Sequence, residues 1–225
     1  PDPALLIATC VAVGSLARHA DARSALVQAG VVEPLLALLS HEEVPLKANA
    51  LWVLGILAVD PAVRTLLLTI ENALQRIVSL LDSADPKLRQ SAVQLVMLIG
   101  ETPDGWQSFL EVSGFKGLAA LLQSNSPQAQ AKAAVSLHYR LQQQPSLATE
   151  IFESNGILPL IALLEAGEEL QDPVLSVIAV LSSDPNRMDA IIEFGGVSAL
   201  VKAMGSKNPR IQLNAICTVT NLLSK

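Results

Sequence analysis

Rings are scarce in this chain: two Trp, one Tyr and four Phe in 225 residues, 3% in all. The 51% of hydrophobic residues are therefore mostly Ala, Leu, Val and Ile, a core composition that suits helices stacked at close approach. Cysteine is scarcer still. Cys10 and Cys217 stand at opposite ends of the sequence, which excludes a disulfide framework and predicts reduced, buried thiols in an intracellular protein of the cytoplasm or nucleus. No run of eighteen uninterrupted apolar residues occurs, so no membrane insertion is expected, and no signal peptide is visible. Lys and Arg are outnumbered 15 to 21 by Asp and Glu, giving −6 and a pI near 5.0; without clustered cations, nucleic acid is excluded as the main partner. The three histidines, His19, His41 and His138, lie far apart and near no Cys pair, so metal-ligand spacing is missing. There is no glycine-rich phosphate loop, nucleophile elbow or HExxH, and neither catalysis nor a cofactor is expected.

What the sequence does contain is a period. Prolines open turns at Pro61, Pro103, Pro145 and Pro185, and a small or turn-forming residue follows at Asn72, Gly114, Gly156 and Gly196. An apolar pair then closes a helix at Leu38-Leu39, Leu80-Leu81, Leu121-Leu122, Leu163-Leu164 and Ala203-Met204, at spacings of 42, 41, 42 and 40 residues. Further prolines at Pro45, Pro86, Pro127, Pro173 and Pro209 open the next apolar helix. Proline is tolerated in the first turn of a helix, where its missing N–H has no partner, and glycine suits the turn that ends one. Each unit reads as short helix, helix, longer helix. A fixed period of this length predicts an all-α solenoid of one domain, residues 1–225. It holds a partial repeat at 1–20 and five three-helix repeats at 21–60, 61–102, 103–144, 145–184 and 185–225. In such stacks each unit buries its apolar face against its neighbours, so the open end units predict a fragment of a longer protein.

AGVVEPLLALLS, then LKANALWVLGILA, and the near-42-residue period resemble the armadillo repeat family over essentially the whole chain. The resemblance implies a right-handed superhelix whose third helices line a concave groove. It also implies that this groove binds an extended protein or peptide segment, which includes flanking regions of the protein's own longer chain. Family members do many things, so the fold alone names no partner. In the importin-type groove a tryptophan is followed four residues later by an asparagine, one helical turn on and on the same face. Here the tryptophan position matches at Trp52, with Val11, Gln94, Ser136, Ser176 and Cys217 in the other units. The asparagine position matches at Asn221, with Ser15, Ile56, Leu98, Arg140 and Val180 elsewhere. One match of each kind makes no ladder, so a reader of basic localisation signals is not expected.

The groove candidates are therefore Trp52, Ile56 and Leu98 as an apolar strip, followed by Gln94, Ser136, Arg140 and Asn221. A register error of one residue would make these core side chains instead. Arg140 sits badly in a core unless paired, and a carboxylate or peptide carbonyl suits it. Trp106 reads as a half-buried packing residue, and Phe109, Phe152 and Phe194 as core. Glu165, Glu168, Glu169 and Asp172 gather at a lengthened turn, a solvated loop or a docking patch for a basic partner. Lys47, Lys87 and Arg89 read as a solvated edge. Over residues 44–204 the chain is also similar to the Fes and HspBP armadillo exchange factors, which act on the seventy-kilodalton heat-shock ATPase. Where that family carries Gln-Asn-Asn, this chain has Ala58-Val59-Asp60. The resemblance makes a chaperone regulator the alternative to a scaffold.

Overall fold

The computed structural model describes residues 2–154, 156–165 and 167–223, without the side chains of Glu168 and Glu169. These residues form fifteen α-helices, one short 3-10 turn and no strand, as the period predicts. In order they are α1 (Pro3–Ala17), α2 (Ala20–Gln28), α3 (Val32–Leu38), α4 (Val44–Leu57), α5 (Pro61–Thr69), α6 (Ala73–Ser79), α7 (Pro86–Ile99) and α8 (Pro103–Leu122). Then follow α9 (Pro127–Gln143), α10 (Leu147–Glu153), α11 (Ile157–Leu164), α12 (Glu168–Leu181), α13 (Pro185–Glu193), α14 (Gly196–Met204) and α15 (Pro209–Leu223).

Helix starts follow from one dipeptide. Asp2, Asp60, Asp85, Ser126 and Asp184 each precede a proline, and their side-chain oxygens accept hydrogen bonds from the N–H of Ala4, Ala62, Leu88, Ala129 and Asn186 at 2.8–3.3 Å. Each cap satisfies a donor that a helix start leaves orphaned, and the proline gives up one that would have had no partner. Turns between the short helices use left-handed backbone: Asn72 at φ 58° and Gly195 at φ 80°. Gly195, and not the expected Gly196, takes the positive φ in the last unit. Gly114 (φ 56°, ψ −147°) is the one non-helical residue inside α8, so the two short helices expected there run as one bent element. Pro173 does not open α12, which already starts at Glu168 and carries the proline inside.

The chain forms two compact units, residues 1–117 and 118–225. In the first, α1 packs on α4, α4 on α7, and α3 against α4. Leu46, Leu51, Leu54, Leu57, Leu88, Leu95 and Ile99 are fully buried there. In the second, α9 packs on α12 and α12 on α15, with α11 and α14 beside them, burying Leu137, Leu160, Val174, Leu175, Ile178 and Leu181. Each such side chain contributes about 1.5–3 kcal/mol relative to exposure. Phe109 is core as expected and sits 5.0 Å, centroid to centroid, from the half-buried Trp106. Phe152 is not core: 36% of it is exposed, because it falls on the outer side of α10 while Leu147, Ala148 and Ile151 take the inner one. Phe194 is half-buried. Cys10 is buried, which pushes its thiol pKa up, but Cys217 is exposed on α15, correcting the expectation of two buried thiols.

Candidate functional site

Within each unit by itself, the candidate positions lie on the outward side of its third helices, α1, α4 and α7 in the first unit and α9, α12 and α15 in the second. Burial fixes their register. On α4 the inward set is Leu46, Ala50, Leu51, Val53 and Leu54, on α7 Leu88, Ala92, Val93, Leu95 and Val96, and on α9 Ala129, Ala133, Ala134, Ser136 and Leu137. The step is 42 residues from α4 to α7 but 41 from α7 to α9. Residue 136 therefore corresponds to Val53, not to Trp52. Ser136 is 9% exposed and belongs to the inward set, and Arg140 is likewise one place off the row. The row positions on α9 are held by Val135 and Tyr139, 41% and 59% exposed. The set returns on α12 as Leu170, Val174, Leu175, Val177 and Ile178, which leaves Ser176 and Val180 on the row as expected.

In the first unit the row reads Val11 and Ser15 on α1, Trp52 and Ile56 on α4, and Gln94 and Leu98 on α7. Trp52, Ile56 and Leu98 are half-buried and Gln94 is exposed. Trp52 lies against α1: a Cβ added to Gly14 would stand 2.1 Å from its ring, so the glycine is what admits the indole. The Arg18 guanidinium carbon lies 5.9 Å from the same ring centroid, within reach of a cation–π contact. One repeat later the arrangement is different. Gly55 on α4 corresponds to Gly14, yet a Cβ there would meet nothing within 4 Å.

In the second unit the row is mostly polar beyond α9. Asn214 donates to Ser176 Oγ at 3.1 Å and to Asp172 Oδ1 at 3.3 Å, and Arg210 pairs with Asp172 at 3.2 Å. Asn221, the one residue at the asparagine position, donates to Ser182 Oγ at 3.0 Å, so its amide is bonded within the protein. Of the acidic turn, Glu165 pairs with Lys202 at 2.6 Å, while the side chains of Glu168 and Glu169 lie outside the described residues. Lys87 is exposed; Lys47 and Arg89 are half-buried, and Arg89 donates to the carbonyls of Ser83 and Ala84.

Away from the third helices, two recesses are described in the first unit. One of about 490 Å³ is lined by Glu33, Leu36, Leu66, Thr69, Ile70, Glu71 and Arg76. The other, about 350 Å³, involves Gln75, Val78, Asp82, Val112 and Lys116. Among the described residues no three His, Cys, Asp or Glu side chains gather as metal ligands, and no single helix is long and apolar enough to cross a membrane.

A family model described as armadillo/beta-catenin-like repeat matches residues 19–59 and 184–224. U-box domain-containing protein 19 of Arabidopsis thaliana is 28% identical over 211 residues, 89% of this chain; the chain spans 31% of that relative's length. Among solved structures, a designed armadillo repeat protein in complex with the peptide (KR)4 is similar, with a TM-score of 0.58 and 23% identity over 99% of this chain and 95% of that one. A structure titled for a phosphorylation switch that controls the interaction between cadherin and beta-catenin has a TM-score of 0.64 and 21% identity, over 99% of this chain and 43% of its own. At these identities the structural likeness concerns the fold.

Proposed function

The chain carries armadillo repeats, and on that premise we propose that it is a non-catalytic interaction scaffold, holding a segment of a partner protein along the side formed by its third helices. The observation that carries this reading is the row of outward apolar and aromatic residues at two fixed positions: Trp52, Ile56 and Leu98 in the first unit, Val135, Tyr139 and Val180 in the second. Apolar surface left on a repeated face releases water when covered, at about 25 cal/mol per Å². Two similar structures support the class, since one holds a peptide and the other concerns a protein pair. The partner segment belongs to another protein or to flanking sequence of the same one, and an intracellular setting is part of the proposal. No specific contact favours the chaperone-regulator alternative.

Selection of random displayed peptides on the immobilised chain tests this reading. Selected peptides should lose about tenfold or more in affinity for a folded Trp52→Ala, Tyr139→Ala double variant, since truncating an aromatic anchor typically costs more than 1 kcal/mol. Peptides that bind both forms equally would place the working surface elsewhere.

A further inference from the structure

The chain as a whole is acidic, at −6, yet the third helices of its first unit are not. Between their bounds α1, α4 and α7 contain no Asp or Glu; their charged residues are Lys47, Lys87 and Arg89. Arg18 follows at the C-cap of α1, exposed, within cation–π reach of Trp52 and with no ion pair among the described residues. The acid just past α7, Glu101, is already paired with Arg64 at 2.7 Å. Asp60, just past α4, caps α5 through the Ala62 N–H, and between their bounds the three helices carry only positive charge. A guanidinium drawn towards an indole face by the cation–π attraction still has N–H groups to offer a carboxylate, which it can meet through two parallel hydrogen bonds.

Beside this platform is a vacant seat. Trp52 of α4 fills the space over Gly14, but its counterpart on α7 is Gln94, which is exposed and leaves the space over Gly55 unfilled. Trp52 and Ile56 flank Gly55 on its own helix, and Leu98 lies one turn beyond Gln94. The space over Gly55 is open to a side chain from outside, where over Gly14 the indole already stands.

We propose that this face selects segments in which acidic and aliphatic residues are interspersed, an aliphatic side chain seating over Gly55 and a neighbouring carboxylate meeting Arg18. The inference rests on the scaffold reading above and gives it a chemistry, opposite in charge to the (KR)4 peptide of the designed relative.

Three labelled eight-residue peptides test it by fluorescence anisotropy at low salt on the whole chain: LESLESLE, LQSLQSLQ and LKSLKSLK. The Glu peptide should bind about fivefold more tightly than the Gln peptide, and the Lys peptide least. Arg18→Gln should remove the Glu preference without weakening the Gln peptide, and Arg18→Lys should restore only part of it. Gly55→Leu should weaken all three, and since a Cβ there meets open space, the variant's unchanged or raised melting temperature separates a filled seat from a damaged fold. Equal affinity for Glu and Gln peptides, or a preference that survives Arg18→Gln, overturns the inference and leaves the scaffold reading standing. Binding by no peptide, while randomly selected peptides still depend on Trp52, does the same. If selected peptides also ignore Trp52, both fail.

Discussion

On α4 and α7 the outward row is Trp52, Ile56, Gln94 and Leu98, three of them apolar or aromatic, and the polar one, Gln94, is exposed to water. On α12 and α15 the same positions carry Ser176 and Asn221, with Asn214 nearby, and the two asparagines donate to Asp172, Ser176 and Ser182 on and just after α12. The backbone period and the inward set are the same in both units; only the outward chemistry differs. The comparison teaches that a repeat can use its third-helix face in two ways. A polar row bonds across to the next helix, whereas an apolar row forms no such bonds: Trp52 packs on α1 while Ile56 and Leu98 stay half-buried.

If the two units share one core logic, a buried charge should damage them alike. Leu54→Asp in the first and Leu121→Asp in the second each place a carboxylate at a fully buried position. Each should cost more than about 4 kcal/mol and abolish cooperative melting by circular dichroism. An unaffected melt for either would misplace the core of that unit.

The glycine pair sharpens the comparison within the first unit. Gly14→Ala drives a methyl into the Trp52 ring and should destabilise by about 1–3 kcal/mol, as overpacking does. Gly55→Ala meets open space in mid-helix and should stabilise by about 0.5–1 kcal/mol. Chemical denaturation reads both, and equal signs would show that Trp52 does not rest on α1. Of similar size to the Gly55 change is Asn214→Ala, which removes two hydrogen bonds in the second unit and should cost about 1 kcal/mol. Peptide affinity should be unmoved by it, which anisotropy checks.

Most of the fold was legible from the sequence because its signals are local and repeated. Asp-Pro and Ser-Pro mark caps, and the Leu pairs mark buried helix ends. The candidate row was legible in the first unit, where Trp52, Ile56 and Leu98 stand on it, and on α12, where Ser176 and Val180 do, but not on α9. There, one residue is missing between the caps Asp85 and Ser126, a 41-residue step where the preceding pair steps 42. A single residue turns a helix face by about 100°, and so Val135 and Tyr139 were passed over for Ser136 and Arg140. Measuring from cap to cap would have found them. No sequence signal announces that Asn221 bonds to Ser182, 39 residues away, because that depends on how two helices lie side by side. Pro173 misled for a related reason: a proline permits a helix start without requiring one.

The chain has two tryptophans, one on the outward row and one packed near Phe109, so each can be made the sole reporter. The most direct test of the scaffold reading is tryptophan emission during titration with a selected peptide, in a Trp106→Phe variant and in a Trp52→Phe variant. The account predicts a blue shift and saturable intensity change when Trp52 is the only indole, and a flat titration when Trp106 is. A response confined to Trp106, or none from Trp52 while the peptide demonstrably binds, would contradict it.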